Sequence, residues 1–205
     1  MTHEFLNQVR RGPLCIDGAT GTMIQKLDLD DGFYGGPAFR MLGDLLCFSL
    51  PEAVVDIHLA FLRAGAQAVE TNTFGASPLR LAEYDFSLLN TNRFAANLYG
   101  LELRGIDSDS LSYYLSRRAA ELACKAIEGY REESGYDGRE LFVLGSFGPS
   151  NHVVSATTAN LRRTSFAAIA DNFYRQALGL LDGGADALLF ETQQDILELK
   201  AGVFG

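Results

Sequence analysis

Apolar positions along the chain alternate between two rhythms. Four short runs are β-like: Leu14 to Thr20, Ala66 to Phe74, Leu141 to Pro149 and Ala185 to Thr192. Each is nearly continuous in apolar residues, the pattern of strands buried on both faces. Between them, apolar residues recur at helical spacing. Pro51 opens one helix, in which Val54, Val55, Ile57, His58, Phe61 and Leu62 form a stripe and Gly65 supplies the stop, the usual punctuation of a helix. A mostly helical stretch is predicted from Pro78 to Glu133, interrupted by YGLELRGIDSDS, and its last part reads as a capped amphipathic helix from about Ser110. A further helix runs from about Ser165 to Asp182, with Phe166, Ile169, Phe173, Leu178 and Leu181 turned inward and Gly183 and Gly184 after it. GTMIQKLDL starts helically and enters a Gly-rich loop, DDGFYGGPAF, while QQDILELKAGVFG begins a last helix.

Buried strands separated by helices imply a parallel sheet built from βαβ units. The polar residues of each strand collect at its C-terminal end: Asp17 and Thr20; Glu70, Thr71 and Asn72; Ser146 to Asn151; Glu191 and Thr192. In a barrel or an open α/β sheet that rim is where ligands bind. The 205 residues suit four long βα units and are too few for eight of that size.

Composition narrows the picture. At 47% apolar and 21% charged the chain has the make-up of a globular domain. Its net charge of −9 argues against a nucleic-acid backbone or an anionic membrane surface as partner. There is no apolar run of the roughly 18 residues that a membrane span requires, nor a basic segment followed by an apolar one at the N-terminus. A cytoplasmic protein is expected. Cys15, Cys47 and Cys124 are scattered, with no C-x-x-C and no His at metal spacing, so neither a disulfide framework nor a zinc site is read from them.

Four segments, DGATGTMIQ, IHLAFLRAGAQAVETNTF, VLGSFGPSN and GGADALLFETQQDILELKAGVF, in this order, resemble the homocysteine-binding domain of cobalamin-dependent methionine synthases. The wider family includes homocysteine methyltransferases that use betaine or S-methylmethionine. The resemblance covers residues 13 to 205 and is weak between about 83 and 139. It implies a (β/α)8 TIM barrel that binds homocysteine at the C-terminal ends of its strands, with zinc on the substrate sulfur. A thiol of pKa about 8.5 is mostly protonated at neutral pH, and a divalent cation deprotonates it; the thiolate then attacks an electrophilic methyl group. In the methionine synthase type that methyl comes from methylcobalamin on another module.

By the same resemblance Asp17 and Glu191 correspond to carboxylates that hold the substrate's amino-acid end. An acid at a Gly-flanked strand end can accept charge-assisted hydrogen bonds from an ammonium group, although an Asx side chain there also shapes turns. Glu191 follows the apolar run ALLF and needs a cation or donors; a structural salt bridge would serve equally. Gly18 and Gly21 permit close backbone approach to a ligand or simply a tight turn, and Thr20 completes the set at this strand end. Strand alternation puts either Glu70 and Asn72 or Thr71 toward a barrel axis. Asn72 is the preferred pocket residue, with a hydrogen-bonded strand cap as the alternative. Asn151 matches a family loop position and could serve only to shape that loop. Asp195 reads as a helix N-terminal residue, and His58 as a packed or surface helical residue.

The family's zinc ligands are cysteines in an Asn-Cys strand end and a Gly-Gly-Cys-Cys-Gly segment, and neither exists here. No metal residue is carried over. With four strands, the chain corresponds to the N-terminal half of the barrel, residues 1–205 forming a partial homocysteine-binding domain. Three partners are therefore expected besides homocysteine: a C-terminal half-barrel chain, a self-associated copy, or a cobalamin-binding module. The main expectation is a methyltransferase segment inactive by itself. The alternatives are a non-catalytic amino-acid-binding or assembly subunit, or a homocysteine methyltransferase with betaine or S-methylmethionine as donor.

Overall fold

A computed structural model describes residues 3–94, 98–133, 135–156 and 164–205. Helices α1 (His3–Arg11), α2 (Thr20–Lys26), α3 (Leu46–Ser49), α4 (Pro51–Arg63), α5 (Pro78–Leu81), α6 (Ser108–Glu132), α7 (Phe166–Asp182) and α8 (Ile196–Phe204) surround strands β1 (Ala68–Glu70), β2 (Phe142–Phe147) and β3 (Ala187–Phe190). The strands form an open, all-parallel sheet in chain order, with Glu70 beside Leu144 and Phe147 beside Phe190. This is an α/β fold consistent with part of a barrel.

The first predicted strand, Leu14 to Thr20, is reduced to one parallel bridge between Ile16 and Ala68. Cys15 carbonyl accepts from the Gln67 and Ala68 amides, and Asp17 N–H donates to Ala68 carbonyl at 3.0 Å. The segment thus lies where a first strand belongs. It leaves the ladder at Asp17 because the side chain of that residue, rather than its backbone, takes the next donor, Glu70 N–H, at 2.9 Å. The other three strands are shorter than predicted, since their polar ends turn out of the ladder.

Residues 82 to 94 are the other departure, with residues 95–97 outside the described residues. Here the expected helix gives way to a short 3-10 turn at Phe86–Leu88, whereas the non-helical stretch that follows, with a 3-10 turn at Leu98–Gly100, coincides with the expected interruption from Tyr99. The apolar side chains of this stretch are spent on a core with the Gly-rich loop: Tyr34, Phe39, Leu42, Leu45 and Phe48 are buried with Phe86, Leu89 and Leu103. Phe39 stacks on Phe86 at 5.4 Å. The loop is therefore structural rather than a free connection, its turn held by the Asp30 carboxylate accepting from Gly32 N–H and by Gly35 at φ 86°.

The long helices follow their signals. Asp107 caps α6 by accepting from Ser110 N–H at 2.8 Å, and Ser165 caps α7 by accepting from Ala168 N–H. Ile169, Phe173, Gln176 and Leu180 are the buried positions of α7, whereas Phe166 and Leu181 face outward. Ile169 and Phe173 thus face inward as expected and Phe166 and Leu181 do not, and glycines add to the buried face: Gly179 and Gly183 let α7 approach α6 closely, where added Cβ atoms would lie 2.2 Å from Tyr113 carbonyl and 2.4 Å from Arg117 carbonyl.

The sheet buries both faces. Val69, Val143, Phe147, Leu188 and Phe190 meet the helices through Ile127, Ile169, Phe173 and Leu180. On the opposite face Ala68, Phe142, Leu144 and Ala187 form a small cluster with Leu14, Leu189 and Phe5 of α1. Phe5 meets Phe142 edge-on at 5.4 Å, closing the N-terminal end of the strands. Among the described residues no single helix is long and apolar enough to cross a membrane.

Candidate functional site

At the other end of the strands lies a cavity of about 360 Å³, lined by the turn into α2, the Gly-rich loop and the strand ends. Thr20, Gly21, Glu70, Thr71, Asn72, Ser146 and Glu191 all face it. Of the polar strand-end residues, Asp17, Asn151 and Thr192 do not line this cavity, and neither does Gly18.

Backbone conformation at this rim is unusual. Ala19 (φ 48°), Asn151 (φ 64°) and Thr192 (φ 55°) take left-handed conformations just beyond the first segment, β2 and β3. Non-glycine residues rarely do so, and such positions cluster at ligand sites. In DGATG the special backbone therefore falls on Ala19 rather than on either glycine. A Cβ on Gly18 or Gly21 would meet nothing within 4 Å, so both border open space and neither is demanded by packing. Asn151 serves its loop: Asn tolerates this conformation, and its amide donates to Glu83 at 3.3 Å.

Three carboxyl groups meet below the rim. Asp17 is buried, one oxygen accepting from Glu70 N–H and the other, Oδ2, without a hydrogen-bond partner. Burial, with the Glu191 charge adding to it, pushes Asp17 up to about 7. Glu70, which lines the cavity with Glu191, is pushed up to about 7 by burial, then by the charges of Glu191 and Asp17. Glu191 accepts from Ser146 Oγ–H. The structural salt bridge considered for Glu191 is not formed: among the described residues none of the three acids is ion-paired. Acids brought together without a cation are a costly arrangement.

The neighbouring polar groups hold this geometry. Gln176 of α7 reaches through the core to donate to the carbonyls of Thr73 and Ser146, at 2.9 and 3.2 Å. Thr73 hydroxyl donates to Ser146 carbonyl at 2.8 Å, and Thr71 hydroxyl accepts from Ser146 N–H at 3.0 Å. Asn72 lines the cavity as expected, yet its amide is committed to Gly43 carbonyl at 2.9 Å, tying β1 to the Gly-rich loop. Asp44, which sequence reasoning passed over, is buried at the cavity wall and accepts from Gly75 N–H at 2.8 Å; burial pushes it up to about 6. Its signal was available, as a lone acid inside the apolar run MLGDLLCF. Asp195 caps α8, accepting from Leu197 and Ser155 N–H. His58 is a buried core residue, its ring held neutral because burial lowers its pKa to about 4.

Zinc does not fit this set of residues. Cys15 is exposed beside β1; Cys47 is buried against Asn72 carbonyl, its thiol pushed up to about 12 by burial; Cys124 lies on α6 against the Gly183 carbonyl. The three thiols do not converge, and among the described residues no group of three or more His, Cys, Asp or Glu could hold a metal ion. No step through a metal is derived from them.

Comparison with known proteins places the chain in a family. The sequence pattern of the family Homocysteine S-methyltransferase matches residues 14–205. Methionine synthase of Mycobacterium tuberculosis is 37% identical over 203 residues, and that of Mycobacterium leprae 34%; each alignment covers 98% of this chain and 14% of the relative. The crystal structure of the homocysteine methyltransferase MmuM from Escherichia coli in its metallated form superposes with a TM-score of 0.69 at 25% identity, covering 95% of this chain and 59% of that one. Its oxidized form gives 0.67 at 26%, covering 92% and 56%. The chain therefore spans a seventh of the methionine synthases it matches and somewhat over half of MmuM. With the family pattern spanning all but its first residues, the chain belongs to the homocysteine S-methyltransferase family.

Proposed function

We propose that this chain is the amino-acid-binding half of a homocysteine S-methyltransferase barrel, residues 1–205 supplying its first four βα units. The observation that carries this reading is the group of three acids without an ion-pair partner, buried Asp17 with half-buried Glu70 and Glu191, at the strand ends of a chain in this family. Asp17 and Glu191 receive the ammonium group of homocysteine. Gly18 and Thr20 shape the turn beside it, and Asn72 sets the far wall by holding Gly43. Activation of the sulfur and the methyl donor, whether methylcobalamin, betaine or S-methylmethionine, belong to groups beyond these residues. Alone, the chain binds the amino acid without transferring a methyl group.

A second reading, a non-catalytic amino-acid-binding or assembly subunit of a split barrel, is favoured by the scattered thiols and by the outer edge of β3, which has no strand partner within the described residues. An open edge of this kind pairs readily with another strand. Both readings require the same pocket. Titration of L-homocysteine into the chain, followed by calorimetry at pH 7.5, is expected to give saturable heat that Asp17→Asn weakens at least about tenfold, the worth of one charge-assisted contact. Absence of saturable heat overturns the assignment of the pocket.

A further inference from the structure

Ser146 sits on the central strand, between the strands that carry the acids of the rim. In the parallel register Glu70 lies beside Leu144 and Ser146 beside Leu189, and the ladder continues as Glu191 N–H donates to Phe147 carbonyl at 3.0 Å. Side chains two positions apart in a strand share a face, so Glu70, Ser146 and Glu191 project from the same face of the sheet. All three line the cavity. The Ser146 hydroxyl donates to Glu191 Oε1, and among the described residues it is the one side chain that does so.

The backbone of Ser146 is held on both sides. Its N–H donates to Thr71 Oγ1 at 3.0 Å, and its carbonyl accepts from Thr73 Oγ1 at 2.8 Å and from Gln176 Nε2 at 3.2 Å. Gln176 belongs to α7, is fully buried and does not line the cavity. It donates to Thr73 carbonyl as well, at 2.9 Å, while its own Oε1 has no partner. A buried amide oxygen left unsatisfied costs folding free energy. An apolar side chain of the same length would avoid that cost, but it would not hold the ends of β1 and β2 together.

We infer that Ser146 is a positioning residue of the amino-acid site: its hydroxyl, fixed through its own backbone by Thr71, Thr73 and Gln176, holds one oxygen of Glu191 and presents the other to the ammonium group of the ligand. This rests on the amino-acid pocket proposed above and adds to it the residues that set the direction of one acid. The physical need is plain. Glu191 shares the site with Glu70 and Asp17, like charges that favour its turning away, and a Glu side chain has rotamer freedom with which to do so. A hydroxyl on the neighbouring strand stops that rotation before the ligand arrives, so the ligand does not spend binding free energy on ordering the side chain. One hydroxyl has one proton to give, which leaves Glu191 Oε2 as an acceptor for an ammonium N–H.

L-Methionine is the probe, since it has the ammonium and carboxylate of homocysteine without a reactive thiol, and calorimetry on the whole chain at pH 7.5 is the readout. Ser146→Ala keeps the amide and carbonyl that Thr71, Thr73 and Gln176 hold, and its affinity should fall about tenfold, the worth of a hydrogen bond to a charged group. Asp17 and Glu70 remain in this variant, so binding is weakened and not lost. Gln176→Met, remote from the ligand, should weaken binding about threefold. A double-mutant cycle separates positioning from a general effect on the fold: in a Glu191→Ala background Ser146→Ala should change affinity less than about twofold, because the carboxylate it orients is gone. Glu191→Asp, one methylene shorter and out of reach of the hydroxyl, is the background if the alanine variant binds too weakly to measure. Unchanged affinity in Ser146→Ala, or tighter binding through the freed Oε1, overturns the positioning role and leaves the pocket intact. A tenfold loss that persists without the Glu191 carboxylate also overturns it, by showing that Ser146 acts on the fold and not on that acid. No binding of L-methionine or L-homocysteine by the parent chain overturns the pocket assignment and the positioning role with it.

Discussion

On the face of the sheet that carries Val69, Val143 and Leu188, helices α4, α6 and α7 close a core in which side chains and even glycine Cα atoms are in contact. On the face that carries Ala68, Leu144 and Ala187, a single short helix covers the lower end, and the upper end is left to acids without cations. Both faces belong to the same three strands, so strand propensity cannot account for the difference. Stability is concentrated where apolar area is buried on helices. The other face holds groups whose burial is unfavourable until something binds. Such division is expected of a ligand site, which gives up folding free energy to be ready for its ligand.

The helical face should be the most sensitive to change. Gly179→Ala gains about 1 kcal/mol of helix propensity, yet its Cβ would stand 2.2 Å from Tyr113 carbonyl. Separating α6 from α7 to relieve that contact costs more than the gain, and a net loss of about 2–3 kcal/mol is expected, seen as a melting temperature lower by about 5–10 °C. An unchanged melting temperature would show that the two helices are not held in close contact. The lower part of the opposite face is expected to be less sensitive. Phe5→Ala removes an edge-on ring contact from a half-buried position and should cost about 1–2 kcal/mol by urea denaturation. Since Phe142 lies at the end of β2 remote from the rim, amino-acid affinity should stay the same. A loss as large as that of Gly179→Ala would make both faces equal contributors and remove the contrast.

What could be read from the sequence follows the same division. Helices α4, α6 and α7 and the order of the parallel strands were legible because apolar periodicity, Pro51, Ser165 and the Gly183–Gly184 pair are local signals that tertiary packing then reinforced. The inward face of α7 was read correctly at Ile169 and Phe173 but not at Phe166 and Leu181; glycine carries no hydrophobic signal, yet Gly179 lies against α6. While the interruption from Tyr99 was legible, the stretch from residue 82 to 94 misled for the opposite reason. Its apolar residues are numerous enough for a helix but are buried against Tyr34 and Phe39, partners some 50 positions away that no local window includes. At the site, Asp17, Thr20, Asn72 and Glu191 were legible as polar residues ending apolar runs. The proximity of Glu70 to Glu191 was not, because β1 and β3 are separated by β2 and their acids meet only at the shared cavity.

The smallest effect on stability is the most discriminating. Asp17 is buried and pushed up to about 7, and Glu70 likewise, each from an unfolded value near 4. Between about pH 4 and 7 the folded protein therefore binds more protons than the unfolded chain, and stability declines as pH rises through that window. Asp17→Asn keeps an oxygen to accept from Glu70 N–H and replaces the unpartnered Oδ2 with an uncharged amide group. At pH 8 the variant should be more stable than the parent by something on the order of 1 kcal/mol, and at pH 5, where the native carboxyl is already neutral, the difference should vanish. Amino-acid binding should meanwhile weaken. Thermal melts at the two pH values measure the first effect and calorimetry the second. A variant that is less stable than the parent at pH 8 would mean that the Asp17 carboxylate is compensated within the fold; the rim would then be as well satisfied as the helical face, and the contrast between them would not come from a ligand site.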